Sequence, residues 1–239
     1  MELQPELLRY LTPVFLTAWR KDLFEGSVAG YGGFVEQFWP ALLKGGALTK
    51  VFSEAERSAF IAYMRDSIWD RLDAEASLHF SGMGASPYQW VQTLVSYGAL
   101  FSDVETLWTE WWQTKTSGHA IAAFQYASAL MYEDDKNPVF EPWTRDQGGG
   151  PPALWHCGGI MFDVGWREGN LRFLKSTLSA DYFEQKLHQA LVQIEVGAAR
   201  RMATGILDNF AGQRTRLELR IEQLLKLLED VSQVDGFAI

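Results

Sequence analysis

The chain has 239 residues, 47% of them hydrophobic and 21% charged, ordinary globular values for a protein long enough to build a core without staples. Its net charge of −9 opposes docking onto phosphate backbones, so no nucleic-acid partner is expected. One cysteine leaves no internal disulfide and fits a reducing compartment. Nothing approaches eighteen uninterrupted apolar residues, and the first ten residues lack a basic stretch leading into an apolar run, so neither a membrane span nor a signal peptide is expected. These features suggest a soluble, cytoplasmic protein.

Acidity is unevenly placed. Residues 1–133 carry 9 basic and 15 acidic side chains, residues 134–170 carry 3 and 6, and residues 171–239 are balanced at 9 and 9. Such a surface keeps a protein soluble and steers basic partners toward it.

In chain order, Thr12 before Pro13 reads as a cap and a first-position proline, which predicts a turn and then a helix from Pro13 to about Phe24. A glycine-rich connection follows. Phe34 to Lys44 reads as a short helix, kinked at Pro40 and stopped by Gly45-Gly46. Ser53 with Glu56 is a capping box. The helix it opens runs to about Ala76, with Phe60, Ile61, Met64, Ile68 and Leu72 as its apolar stripe. Ser86-Pro87 opens a helix through Phe101. Ser102 with Glu105 opens another through Lys115, carrying Trp108, Trp111 and Trp112. His119 to Tyr132 is alanine-rich and nearly uncharged, the pattern of a central core helix.

Beyond residue 169 the pattern is helical again. It gives a short helix from Asn170 to Thr177, one from Ala180 to Val196 capped by Ser179, and one from Ala198 to Phe210. Gly197 and Gly212 are read as stops. The last helix, Gln213 to Val231, spaces Leu217, Ile221, Leu224, Leu228 and Val231 as a short heptad seam. With so few heptads, packing onto its own domain is favoured over dimerisation. Sustained strand alternation is missing, and only Pro138–Phe140 and Gly159–Asp163 could pair as a small hairpin. The fold class is therefore all-α, either an irregular multi-helix bundle or a short α-solenoid of helical hairpins. A single domain over 1–239 is expected, with helices at 6–133 and 170–232 around one long ordered loop at 134–169.

That loop is the irregularity of the chain. Between Glu133 and Trp166 it holds four prolines, five glycines before Asp163, three tryptophans and Cys157. A connection of this length is usually functional or disordered, and its rings argue for order. No phosphate loop, dinucleotide fingerprint, zinc-protease or nucleophile-elbow motif occurs anywhere. Gly148–Gly150 is followed by Pro151-Pro152, which cannot donate amides to a phosphate.

Three chemistries remain for the loop. Asp134, Asp135, Asp146, His156, Cys157 and Asp163 offer metal ligands, but without supporting spacing, so neither a metal nor any cofactor is favoured. Cys157 would need a basic partner such as His119 or His188 to act as a nucleophile. Glu133 or Asp134 with Asp163, near Trp143, Trp155 and Trp166, would suit sugar processing. Each makes a hydrolase-like or metal-dependent enzyme the alternative reading.

Binding accounts for more of the features. Trp143, Arg145, Asp146, Trp155 and Trp166 are the candidate binding residues, since Trp and Arg dominate interface hot spots. Acidic neighbours would favour a basic protein partner. The favoured expectation is a noncatalytic protein-binding role, toxin-neutralising or regulatory. Bacterial immunity proteins share this composition, which is an analogy of composition alone.

Overall fold

The computed structural model describes residues 4–25, 42, 47–79, 104–132, 136–139 and 168–233. The expected helices at 34–44, apart from Leu42, and at 88–101 lie outside these residues. Within them every regular element is helical and no strand occurs, as the all-α reading requires. The helices are α1 (Pro5–Glu25), a single turn α2 (Ala47–Lys50), α3 (Glu54–Asp73), α4 (Val104–Trp112) and α5 (Ser117–Met131). After the long connection come α6 (Glu168–Thr177), α7 (Ala180–Gln193), α8 (Ala198–Asp208) and α9 (Phe210–Gln233).

α5 is the hub. Every residue from Gly118 to Met131 is buried, so this helix has no solvent face and must be enclosed by others. It packs against α3, α4, α7, α8 and α9. In a solenoid each unit touches only its chain neighbours. Here α9 reaches back onto α5, so the described helices form a bundle. α7 and α8, consecutive in the chain, also pack against each other.

Rings fill the space between α4, α5 and α7. Trp108, Trp111 and Trp112 meet Tyr126 edge-on, with centroids 5.5–6.1 Å apart. Phe183 closes the cluster against Trp112 at 5.3 Å, an arrangement that suits the ring quadrupoles. Trp108 Nε1 donates to the Tyr182 hydroxyl at 2.9 Å. Burial pushes the Tyr182 hydroxyl up to about 12 and the fully enclosed Tyr126 higher still, so both phenols stay protonated and serve packing.

α3 follows its sequence closely. Ser53 N–H donates to Glu56 Oε2 at 2.7 Å, and Glu56 N–H donates back to Ser53 Oγ at 3.3 Å. Phe60, Met64, Ile68 and Leu72 are buried, and Ile61 is half-buried. The seam of α9 is likewise turned inward, with Leu217, Ile221 and Leu224 all buried. Those seam residues are spent on α9's own bundle.

Four boundaries differ from expectation. α1 runs unbroken through Pro13, because Leu8, Phe15, Ala18, Trp19 and Leu23 line one buried face. Thr12 does not cap; its hydroxyl donates to Leu8 O at 2.7 Å within the helix. The proline at the first helical position is Pro5, whose turn begins with Leu8 N–H donating to Gln4 O at 3.1 Å. α4 stops at Trp112 rather than Lys115, since Thr114 is buried in the left-handed region at φ 48°.

The other two concern glycines. Gly197 does not stop α7, which already ends where Ile194 turns extended; it starts α8 instead. Gly212 lies inside α9, and the break falls at Asn209, whose backbone and side-chain N–H groups both donate to Gly205 O. Pro138-Val139, expected as part of a strand, forms a turn.

Candidate functional site

Trp143, Arg145, Asp146, Trp155 and Trp166 lie outside the described residues, as do His156, Cys157, Asp163, Glu133, Asp134 and Asp135. Of the long connection, only Lys136–Val139 is described. Its start is firmly held. Asn137 is buried, donates through Nδ2 to Ser128 Oγ at 3.3 Å, and accepts the Val139 N–H at 3.0 Å. Val139 itself is fully enclosed.

The anchor continues a buried polar chain. Ser128 Oγ donates to Gln125 O at 2.8 Å. Gln125 Nε2 donates to Glu75 Oε2 and to Ser77 O, both at 3.0 Å. Glu75 is ion-paired with Arg71 one turn earlier, and Arg71 Nε donates to Leu23 O at 3.1 Å. Both charged side chains are at least nine-tenths enclosed. Charges so placed must be paired and hydrogen-bonded to be tolerated, and these are. The chain fixes α1, α3 and α5 in register and leads to the first residues of the long connection.

The two histidines named as partners for Cys157 have different settings. His188 is exposed on α7. His119 is buried in the first turn of α5, with Nε2 3.3 Å from Asp73 Oδ1 and its ring 5.4 Å from Trp69. Burial holds its pKa below the ordinary histidine value, against the pull of Asp73 and Glu110. Among the described residues, no three His, Cys, Asp or Glu side chains converge as a metal site would require.

An open groove lies where the α6–α7 turn meets α9. Its volume is about 520 Å³, and it is lined by Leu178, Ala180, Ile221 and Leu225 below and by charged side chains above. Arg214 is the focus of those charges. It pairs with Asp181, with Glu184 at 3.1 Å and with Glu218 at 3.7 Å. The Glu184 hydrogen bond, with the three carboxylate charges, holds the guanidinium pKa above its usual value. Glu222 and Glu229 continue the acidic side along α9, the latter 3.0 Å from Lys175.

Sequence reasoning missed this groove. The i, i+4 spacing of Arg214, Glu218 and Glu222 was a readable signal, since it puts the three on one helix face. Asp181 and Glu184 join them only through the packing of α7 on α9, and the overall balance of residues 171–239 hides the local excess.

The chain matches no protein-family model, no curated protein and no solved structure. Among the described residues no helix is long and apolar enough to cross a membrane.

Proposed function

We propose that this protein is a noncatalytic binding protein that engages a basic protein partner, in a toxin-neutralising (immunity-like) or regulatory role in the cytoplasm. The observation that carries this reading is the crowding of Asp181, Glu184 and Glu218 around one guanidinium, that of Arg214. Three carboxylates on one guanidinium leave a local negative excess at the surface. Such an excess steers cationic partners and raises their association rate. The chain's net charge of −9 extends the same field.

Two further observations support it. The described tryptophans of α4 are buried in the core, so they serve the fold, and Trp143, Trp155 and Trp166 remain the candidates for a contact surface. The chain leading toward them is anchored at Asn137 and Val139, where Asn137 joins Ser128 to the Val139 amide.

Affinity capture from the native cell, comparing the wild-type protein with Trp143→Ala/Arg145→Ala, tests the reading. A basic protein retained by the wild type and lost by the variant is expected. Identical partner sets, or none, would overturn the placement. Stoichiometric metal in the purified protein, with a catalytic activity lost on chelation, would instead favour the enzyme reading centred on Asp146, His156, Cys157 and Asp163.

A further inference from the structure

The geometry points to the groove between the α6–α7 turn and α9 as a docking site for a lysine- or arginine-bearing segment of a partner protein, a proposal that rests on the basic-partner reading above. The groove has two layers, and each fits one part of such a side chain. Its floor is apolar, made by Leu178, Ala180, Ile221 and Leu225. Its rim carries Asp181, Glu218, Glu222 and Glu229 against Arg214 and Lys226. Long cationic side chains lay their methylene stems on apolar surface and keep the charged head among polar groups. A floor of this kind under a rim of carboxylates matches that division.

Charge complementarity fixes the sign of the occupant. Arg214 already has three carboxylate partners, and Glu229 is held by Lys175. Glu222 lies one helical turn beyond Glu218 on α9 and forms no ion pair with any described residue. Like charges at this spacing repel mildly, and an incoming ammonium or guanidinium relieves the repulsion. An anionic segment would meet the same excess and be rejected. The volume of about 520 Å³ falls within the range of ordinary ligand pockets, room for a few side chains rather than a whole helix. The bulk of the partner would therefore lie above the rim.

The test uses the full-length protein, labelled with ¹⁵N, and two synthetic fourteen-residue amphipathic peptides, one of Lys and Leu and one of Glu and Leu. The Lys/Leu peptide is expected to shift amides within 178–181 and 214–229, and the Glu/Leu peptide is expected not to bind. Glu218→Gln/Glu222→Gln should weaken the Lys/Leu peptide about fivefold, since each exposed ion pair contributes little alone. Lys226→Glu should tighten it about threefold, a gain that misfolding cannot mimic. Glu54→Gln/Asp66→Gln, on the exposed face of α3, should change affinity by less than about twofold.

Equal weakening by the α3 and groove variants would mean diffuse attraction to an acidic protein and would overturn the site. Shifts confined to other helices would do the same. Failure of this inference is separable from failure of the proposed function. A native partner lost with Trp143→Ala/Arg145→Ala but held unchanged by the groove variants would leave the binding role standing without this groove.

Discussion

His119 Nε2 lies 3.3 Å from Asp73 Oδ1, where the first turn of α5 meets the last turn of α3. That distance would serve an ion pair if the ring were protonated. Neither ring nitrogen, however, has hydrogen-bond geometry to any described partner. Asp73 Oδ1 instead accepts from Thr116 Oγ1 at 2.8 Å, and Thr116 Oγ1 accepts the His119 N–H as the helix cap.

Burial outweighs Asp73 here, so the folded-state pKa of His119 sits below the ordinary 6.5. The unfolded chain then takes up the proton first as pH falls. Stability conferred by the neutral ring is full above about 6.5 and is lost progressively from there down to the depressed folded value. Urea midpoints measured between pH 7.5 and 5 should fall for the wild type, and His119→Gln should flatten that part of the profile. A variant as steep as the wild type would place the sensitivity elsewhere.

The same junction constrains Gly118. A Cβ at this position would come within 2.5 Å of Leu72 O and 2.6 Å of Asp73 O, both backbone atoms that cannot rotate away. Gly118→Ala gains about 1 kcal/mol in helix propensity, but forcing the two helices apart costs about 1–3 kcal/mol. Net destabilisation is expected. Gly205, inside α8 with open space around it, should respond the other way, with Gly205→Ala raising stability by about 0.5–1 kcal/mol. Thermal melts of the two variants check the pair.

Pro13 offers a gain as well. It is exposed in the middle of α1, where it removes a helix hydrogen bond and its ring crowds the preceding turn. The helix persists because burial of Phe15, Trp19 and Leu23 outweighs that local cost. Pro13→Ala should therefore stabilise the protein by about 1–3 kcal/mol, read as a higher urea midpoint. A loss would mean that the backbone conformation Pro13 imposes on α1 is needed for its packing on α3.

These positions show what the sequence could and could not reveal. Strong local chemistry was legible: the Ser53/Glu56 box, the Ser179 cap and the apolar run of α5 all locate helices. Local signals misled where packing reversed them. Thr12-Pro13 has the chemistry of a helix start, yet it sits inside α1; Gly212 has the chemistry of a stop, yet it sits inside α9. The acidic groove was only half legible, through the spacing of Arg214, Glu218 and Glu222 on α9. Asp181 and Arg214 are 33 residues apart, and only the packing of α7 on α9 joins them.

Arg71 and Glu75 test whether the buried polar chain is structural. Removing one partner strands a charge in a site at least nine-tenths enclosed, which costs about 3–5 kcal/mol. Arg71→Met alone should approach that loss. Adding Glu75→Leu should recover much of it, since replacing a buried pair by apolar side chains is often neutral. Gln125 keeps Ser77 O as an acceptor in the double variant. A double-mutant cycle from urea denaturation measures the coupling, and simple additivity would show that the two charges are not paired in solution.

Asn137 carries that chain into the segment on which the binding proposal depends. Its side chain joins Ser128 Oγ to the Val139 amide, and both residues it holds are fully enclosed. Asn137→Ala leaves the Val139 N–H without this acceptor, a cost of about 1–3 kcal/mol for a buried donor. The loss should be local first, because the apolar face of α5 is untouched. Hydrogen exchange at the Val139 amide should accelerate about tenfold or more in the variant, while amides in the middle of α5 exchange at rates set by global stability. If the anchor preorganises the residues beyond it, partner capture should weaken in Asn137→Ala even at temperatures where the helices remain folded. Unchanged capture alongside faster Val139 exchange would show that the anchor supports the fold and has no part in recognition.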